Sequence, residues 1–247
     1  MIATAPIEVT GEVVGLRHSG AYHQLTLLAP GVPERFRPGS FVTLSRRGEL
    51  STSWLPSSLP ISRSRTNAYG GTVELVFDGT DAGTRWLSRV GAGDRLAVVG
   101  PLGRTFTLPR EPVVCTLVGS GEGSASLIPL AELLRDRGCT VHMVLTAASE
   151  QRLFGALEAK RVARTVLLST GDLAEVLSGL VARTRTDVLY ACGPMATLRT
   201  VARVADDEGV WSQTALLTPM PCGTGICHGC VLRACVDGPV FRGNPLR

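Results

Sequence analysis

The sequence predicts a mixed β and α/β chain. A small β-barrel is expected over residues 1–110, a parallel, doubly wound α/β unit over 111–210, and a cysteine-bearing segment over 211–247. Three observations predict this. Short apolar runs separated by Gly- and Pro-bearing turns fill the N-terminal part, as in small barrels. From about residue 111 strand-like and helix-like runs alternate, the rhythm of a parallel sheet. Near the C-terminus four cysteines fall at the spacing C-x4-C-x2-C-x4-C.

The barrel strands are read from runs beginning at Glu12, Gln24, Ser40, Thr72 and Arg95, each rich in Val, Leu or Phe. One helical pattern, from Gly83 to Val90, interrupts them. In the second unit Val113 to Val118 is a buried-strand run ending at Gly119. Ala125 to Arg137 then places Leu127, Leu130, Leu133 and Leu134 at helical spacing, with Gly138 suited to the helix end. Strands follow at Val141 to Leu145, Val166 to Leu168 and from Asp187. Helices are expected at Asp172 to Val181, with Asp172 at its N-terminus, and at Met195 to Ala205.

Composition narrows the function. A chain of 247 residues with 44% hydrophobic residues builds a real core. Its net charge of +4 comes almost wholly from scattered Arg, Lys160 being the single lysine, with no basic run interleaved with aromatics. Nucleic-acid binding is therefore not expected. No apolar run reaches the roughly 18 residues of a membrane span, and the first residues lack the basic-then-apolar pattern of a secretory leader. A cytoplasmic protein is the expectation, and in a reducing compartment its seven cysteines are read as metal ligands and free thiols.

Cys222, Cys227 and Cys230 match the plant-type spacing that holds a [2Fe–2S] cluster, and Cys235 is the fourth thiol within reach. Gly223, Gly225 and Gly229 leave room for backbone to wrap a cluster and aim N–H groups at its sulfurs. Zinc is the rival, but its ribbons usually show two C-x2-C pairs, and here there is one. Gly119-Ser-Gly121-Glu-Gly123 follows the first α/β strand and opens a helix, where glycines let backbone N–H groups approach a diphosphate. A tight structural turn has the same signature. Cys192-Gly193-Pro194-Met195 sits at a later strand end, with Pro194 suited to a first helical position.

Taken in order, Leu59-Pro60-Ile61-Ser62, Gly83-Thr84, Gly100-Pro-Leu-Gly103, the glycine turn, Cys192-Gly-Pro-Met and the cysteine loop resemble the ferredoxin-reductase superfamily. Within it, the chain is similar to the family of iron–sulfur electron-transfer subunits of dihydroorotate dehydrogenase, which belong to pyrimidine biosynthesis. The ending from Cys235 to Phe241 is especially similar, and the resemblance covers nearly the whole chain. It implies an FAD-binding barrel (1–110), a nicotinamide-binding-like domain (111–210) and a [2Fe–2S] segment (211–247).

The implied function is a relay of electrons from NAD(P)H, through FAD and the cluster, to a flavoenzyme partner in a hetero-oligomer. By position, Pro60, Ile61 and Ser62 would line the FAD, and Val76, Phe77 and Asp78 would form its middle contact segment. Gly83 and Thr84 would meet its phosphate. Gly119, Gly121, Gly123, Cys192, Gly193 and Pro194 would face the nicotinamide nucleotide. Cys222, Cys227, Cys230 and Cys235 would be the cluster ligands. No residue is named as an acid or base, since the cofactors carry this chemistry.

The chain departs from the family pattern at charged positions. Leu59 and Asp78 stand where Arg is usual, and Ser120, Glu122 and Ser126 alter the nicotinamide turn. Arg pairs bidentately with phosphate, Leu cannot, and Asp opposes it; Arg63, Arg65 and Arg85 are the nearby substitutes. Two other functions stay open: a flavin-free, ferredoxin-like carrier on the same scaffold, and a zinc-stabilised adaptor.

Overall fold

The computed structural model describes residues 5–46, 56–66 and 70–245; residues 1–4, used above in the leader argument, lie outside them. Six strands close into an antiparallel barrel: β1 (Ile7–Ser19), β2 (Tyr22–Leu28), β3 (Phe41–Arg46), β4 (Ser57–Arg65), β5 (Thr72–Phe77) and β6 (Arg95–Leu102), in the order β1-β2-β5-β4-β3-β6. A single turn of helix, α1 (Val32–Arg35), precedes β3. Alternation along the strands sends Leu25, Leu27, Leu59, Ile61, Val73 and Leu75 into one apolar core. It leaves Pro60, Ser62 and Val76 on the outer surface, where a ligand can meet them.

Two barrel features differ from expectation. β4 is a strand that periodicity does not reveal, because Ser, Arg and Pro60 dilute its apolar positions. The helix expected over Gly83 to Val90 is a run of turns with one 3₁₀ turn at Leu87–Arg89. Its bonds reach three residues, as from Leu87 N–H to the Thr84 carbonyl, and the backbone turns extended at Val90, with Leu87 buried in the barrel core.

Five parallel strands form the second sheet: β7 (Val114–Ser120), β8 (Thr140–Thr146), β9 (Thr165–Ser169), β10 (Val188–Gly193) and β11 (Trp211–Leu216). An antiparallel strand, β12 (Val240–Arg242), adds to the edge, giving β12-β11-β10-β7-β8-β9. β11 and β12 thus bracket the cysteine segment and fasten both its ends to the sheet. Helices α2 (Gly123–Asp136) and α3 (Ala156–Val162) bury Leu127, Leu130 and Ala159 with Leu117 and Met143 of the strands. Helices α4 (Leu173–Thr184) and α5 (Met195–Asp207) bury Leu177, Leu198 and Val201 with Val118, Val144 and Ala191. Consecutive strand residues therefore serve opposite faces, which makes the sheet doubly wound. α3 escapes sequence reading because seven residues hold under two helical periods.

Strand order reverses between β7 and β10. In such sheets ligands lie outside the carboxyl ends of the strands at that switch point. Glu122 and Cys192 stand there, facing the barrel. No helix among the described residues is long and apolar enough to cross a membrane.

Candidate functional site: a thiol loop beside an interdomain cavity

The cysteine loop leaves β11 through Pro219-Met220-Pro221 and returns to β12. Cys230 and Cys235 are buried against the sheet, Cys222 is half-buried and Cys227 exposed. Ser58 on β4 donates to the Met220 carbonyl at 2.7 Å, tying the loop entrance to the barrel. Gly223 has φ +68°, and a Cβ there would collide with the Thr43 side chain, so only glycine lets the loop lie on the barrel.

The four thiols are brought together as two pairs. Cys230 Sγ and Cys235 Sγ are 3.3 Å apart, and Cys222 is hydrogen-bonded by Cys227. Backbone N–H groups point at the cysteine sulfurs: Thr224 at Cys222 (3.4 Å) and Gly229 at Cys227 (3.3 Å). Desolvation works to raise the Cys222 thiol. The N–H groups of Cys227 and Thr224 and both their side chains outweigh it and hold the thiol down to about 5. Burial, then the adjoining Cys230, push Cys235 up to about 11.

Among the described residues no three His, Cys, Asp or Glu side chains converge on a point that would hold one ion. A single tetrahedral zinc would draw all four sulfurs to within roughly 3.8 Å of one another, twice a 2.3 Å Zn–S bond seen at the tetrahedral angle. The two thiol contacts, Cys230 with Cys235 and Cys222 with Cys227, suit a two-iron cluster, in which each iron takes two thiolates. The donor set fits the cluster.

Beside the loop lies a cavity of about 730 Å³ between barrel and sheet. Of the residues expected from sequence, Pro60, Val76, Phe77, Asp78, Gly83, Thr84 and Cys192 line it, and residues 215–221 close another wall. The volume is that of a cofactor site, and Pro60, Val76, Phe77 and Cys192 offer an apolar surface for a flat ring. Burial pushes the Cys192 thiol up to about 12, and the Glu122 charge adds to this, so the thiol stays neutral.

The other expected residues lie elsewhere. Ile61 is sealed in the barrel core. Ser62 donates to the Glu74 carbonyl at 2.7 Å and lines a separate cleft of about 260 Å³ with Arg17, Arg63 and Arg65. Gly119, Gly121 and Gly123 make the turn between β7 and α2. Gly121 has φ +55°, and a Cβ on it would stand 2.7 Å from the Tyr22 hydroxyl, so the barrel rests directly on the turn. Gly193 accepts from the Leu217 N–H at 2.9 Å. Pro194 is the residue before α5 and keeps extended backbone, one place ahead of the helical position expected for it.

Charge in the cavity is one-sided. Its described lining holds Asp78, Asp81 and Glu122 and no Lys, Arg or His. The Asp81 carboxylate accepts from the N–H groups of Gly83 (2.7 Å) and Thr84 (3.0 Å) and from the Thr84 hydroxyl. It thus occupies the donors expected to meet phosphate. Burial raises Glu122, and the charges of Asp78 and Asp81 add to the rise. Burial also works to raise Asp78, but the Thr80 N–H, the Arg152 guanidinium and the Thr80 hydroxyl outweigh it and bring Asp78 below its usual value. Of the expected arginine substitutes, Arg63 and Arg65 face the second cleft and Arg85 donates to the Thr80 carbonyl at 2.8 Å. The ring half of the cavity fits a flavin; among the described wall residues, the half that would take its diphosphate lacks the cations such a group needs.

Comparison with known proteins places this geometry. No protein-family model matches the chain. The electron transfer subunit of dihydroorotate dehydrogenase B (NAD(+)) from Bacillus caldolyticus is 32% identical over 238 residues, covering 89% of this chain and 90% of that protein. A probable counterpart from Methanopyrus kandleri is 30% identical over 253 residues, covering 98% and 92%. The chain belongs to this family of electron transfer subunits.

Among solved structures, the NADH-dependent reduced ferredoxin–NADP oxidoreductase superposes with a TM-score of 0.79 at 27% identity, covering 94% of this chain and 88% of that one. Phthalate dioxygenase reductase, at TM-score 0.64 and 17% identity over 85% of this chain and 70% of that one, shares the fold. Within this family frame, three residues went unread in the sequence: Asp81, Tyr22 and Arg152. Arg152, in the loop after β8, donates to Asp78 at 3.0 Å, and its carbonyl accepts from Tyr22 at 3.0 Å. None belongs to a motif, so only folding exposes them.

Proposed function

We propose that this family member is the electron-transfer subunit of a hetero-oligomeric flavoenzyme in the cytoplasm. It relays electrons from NAD(P)H, by way of FAD in the interdomain cavity and a [2Fe–2S] cluster on Cys222, Cys227, Cys230 and Cys235, to a catalytic partner of the dihydroorotate dehydrogenase kind. The observation that carries the proposal is the paired arrangement of the four thiols at the end of the cavity wall. The names of the relatives support the partner and the nicotinamide donor. Thiols kept as ligands suit a reducing compartment. When bound, these cofactors supply the conversion of a hydride's electron pair into single electrons.

The chain's own residues position and insulate. Cys222 and Cys227 would hold one iron, and Cys230 and Cys235 the other. Pro60, Val76 and Phe77 would bound the flavin ring, and the neutral Cys192 thiol would add no charge beside it. The cavity wall at Met220 and Pro221 runs directly into Cys222, so the two sites share backbone.

The test is anaerobic purification with the catalytic partner co-expressed. Iron and acid-labile sulfide in equal amounts, with bound FAD that NADH or NADPH reduces, are expected. Zinc without iron would overturn the cluster. The acidic cavity lining favours one second reading, a flavin-free carrier on the same scaffold. Cluster-loaded protein that never takes up FAD would select it.

A further inference from the structure

We propose that the cleft of about 260 Å³ between the barrel and helices α2 and α3 binds a nucleoside monophosphate, with Arg17, Arg63 and Arg65 receiving the phosphate. Val76 is the one described residue that lines both this cleft and the interdomain cavity. The two sites are therefore separate, and the flavin reading bears on the cavity alone.

Strand geometry brings the arginines together. Register pairs Arg17 of β1 with Gln24 of β2, Gln24 with Val76 of β5, and Glu74 of β5 with Arg63 of β4. These positions alternate with Leu25 and Leu75 of the barrel core, so they share the outer face. A bulge between Ile61 and Arg63 turns two successive residues, Ser62 and Arg63, to that face, and Arg65 follows by alternation. Among the described residues, none of the three arginines has an ion pair or a side-chain hydrogen bond. Like charges gathered without partners repel one another. An arginine fork binds phosphate bidentately, and a phosphate monoester brings about two negative charges to offset them.

The rest of the lining selects more than phosphate. Glu74 and Glu158 face the same cleft. A carboxylate repels phosphate but accepts from sugar hydroxyls, as it does from ribose in dinucleotide sites. Phe154 and Ile128 add an apolar wall suited to a flat base. Volume sets the limit. Small-molecule sites span roughly 300 to 1,000 Å³, so a cleft of about 260 Å³ takes one nucleotide and not two. The ligand would touch barrel strands on one side and α2 and α3 on the other, and so fasten the two domains.

The experiment is calorimetric titration of the full-length protein with AMP and UMP, with adenosine, uridine and inorganic phosphate as partial ligands, and thermal unfolding alongside. AMP or UMP is expected to bind about tenfold or more tightly than its nucleoside or inorganic phosphate, the scale of a hydrogen bond to a charged group, and to raise the melting temperature. Arg63→Gln should weaken the monophosphate by a similar factor, and Arg63→Lys should recover part of the loss, having charge without the fork. Arg17 is exposed, so Arg17→Gln carries the same test without disturbing the fold. Arg85→Gln removes the same charge from the turn after β5 and should change nothing. Failure of both AMP and UMP to bind, nucleosides or inorganic phosphate binding as tightly, or equal affinities in wild type, Arg17→Gln and Arg63→Gln overturns the assignment. So does an equal loss in Arg85→Gln, the mark of general attraction to a positive surface. Riboflavin, which shares the flavin ring and lacks the diphosphate, reports on the cavity separately: Arg63→Gln and the wild type should bind it alike. If neither takes it up while AMP or UMP binds, the cavity reading falls and the cleft stands.

Discussion

The cysteine loop and the interdomain cavity share a wall at Met220 and Pro221 yet are built on different plans. The loop draws its thiols from one stretch, Cys222 to Cys235, and points its own backbone N–H groups at Cys222 and Cys227. The cavity draws its charges from the turn after β5 and from the start of α2, and its walls from several further segments. A site made of one segment keeps its chemistry as long as the spacing survives. A site assembled from several segments can have its charges rearranged piece by piece, with one residue compensating another. Asp78 and Arg152 are such a pair.

The largest effects should break the loop and spare the cavity. Cys222→Ser and Cys230→Ser each remove a ligand from one thiol pair, and iron and sulfide content should fall nearly to zero while riboflavin uptake persists. Cys235→Ser should do the same, since it shares a pair with Cys230. A full cluster in that variant would break the two-pair reading. Gly223→Val is expected next: its φ of +68° and the collision with Thr43 should cost roughly 1–3 kcal/mol of stability and loosen the loop from the barrel. Thermal unfolding and iron content together check it.

The same contrast explains how far sequence reading reached. The proximity of the thiols was legible at x4 and x2 spacing because the cysteines are close in sequence. The sheet was legible because β7 and β8 are long apolar runs, and the Asp172 cap because its acceptor lies two and three residues from its donors. β4 was not legible as a strand, because Ser, Arg and Pro60 dilute its apolar positions. Ser62 was expected to line the FAD and lies instead in the second cleft, beside the bulge between Ile61 and Arg63 and against α2. Arg152 stands 74 residues from Asp78, and no local pattern announces it.

A smaller effect tests the electrostatics of the cavity. Glu122 is raised mainly by burial, so its charged form weakens the native state. That cost is absent below 4.5, the ordinary glutamate value, and complete once the pH has passed the folded value. Glu122→Gln should therefore melt higher than the wild type at neutral pH, with the difference shrinking to nothing as the pH falls below 4.5. A variant that melts lower at neutral pH would mean that Glu122 serves the fold as a charged group, and the acidic wall would not be a source of repulsion.

The smallest effect separates a carboxylate that only caps from one that also faces the cavity. Asp172 accepts from Ala174 N–H (2.8 Å) and Glu175 N–H (3.4 Å) at the start of α4. Asp81 accepts in the same way from Gly83 and Thr84, but its carboxylate lines the cavity. Asparagine keeps a side-chain oxygen in either place, so each Asp→Asn change should alter stability by only a few tenths of a kcal/mol. Their ligand effects should part. Asp81→Asn removes a negative charge where an anion must pass and should tighten FAD several-fold without altering riboflavin. Asp172→Asn, remote from the cavity, should change neither. Equal FAD affinity in the two variants would mean that Asp81 is an ordinary cap, and that the acidity of the wall rests on Asp78 and Glu122 alone.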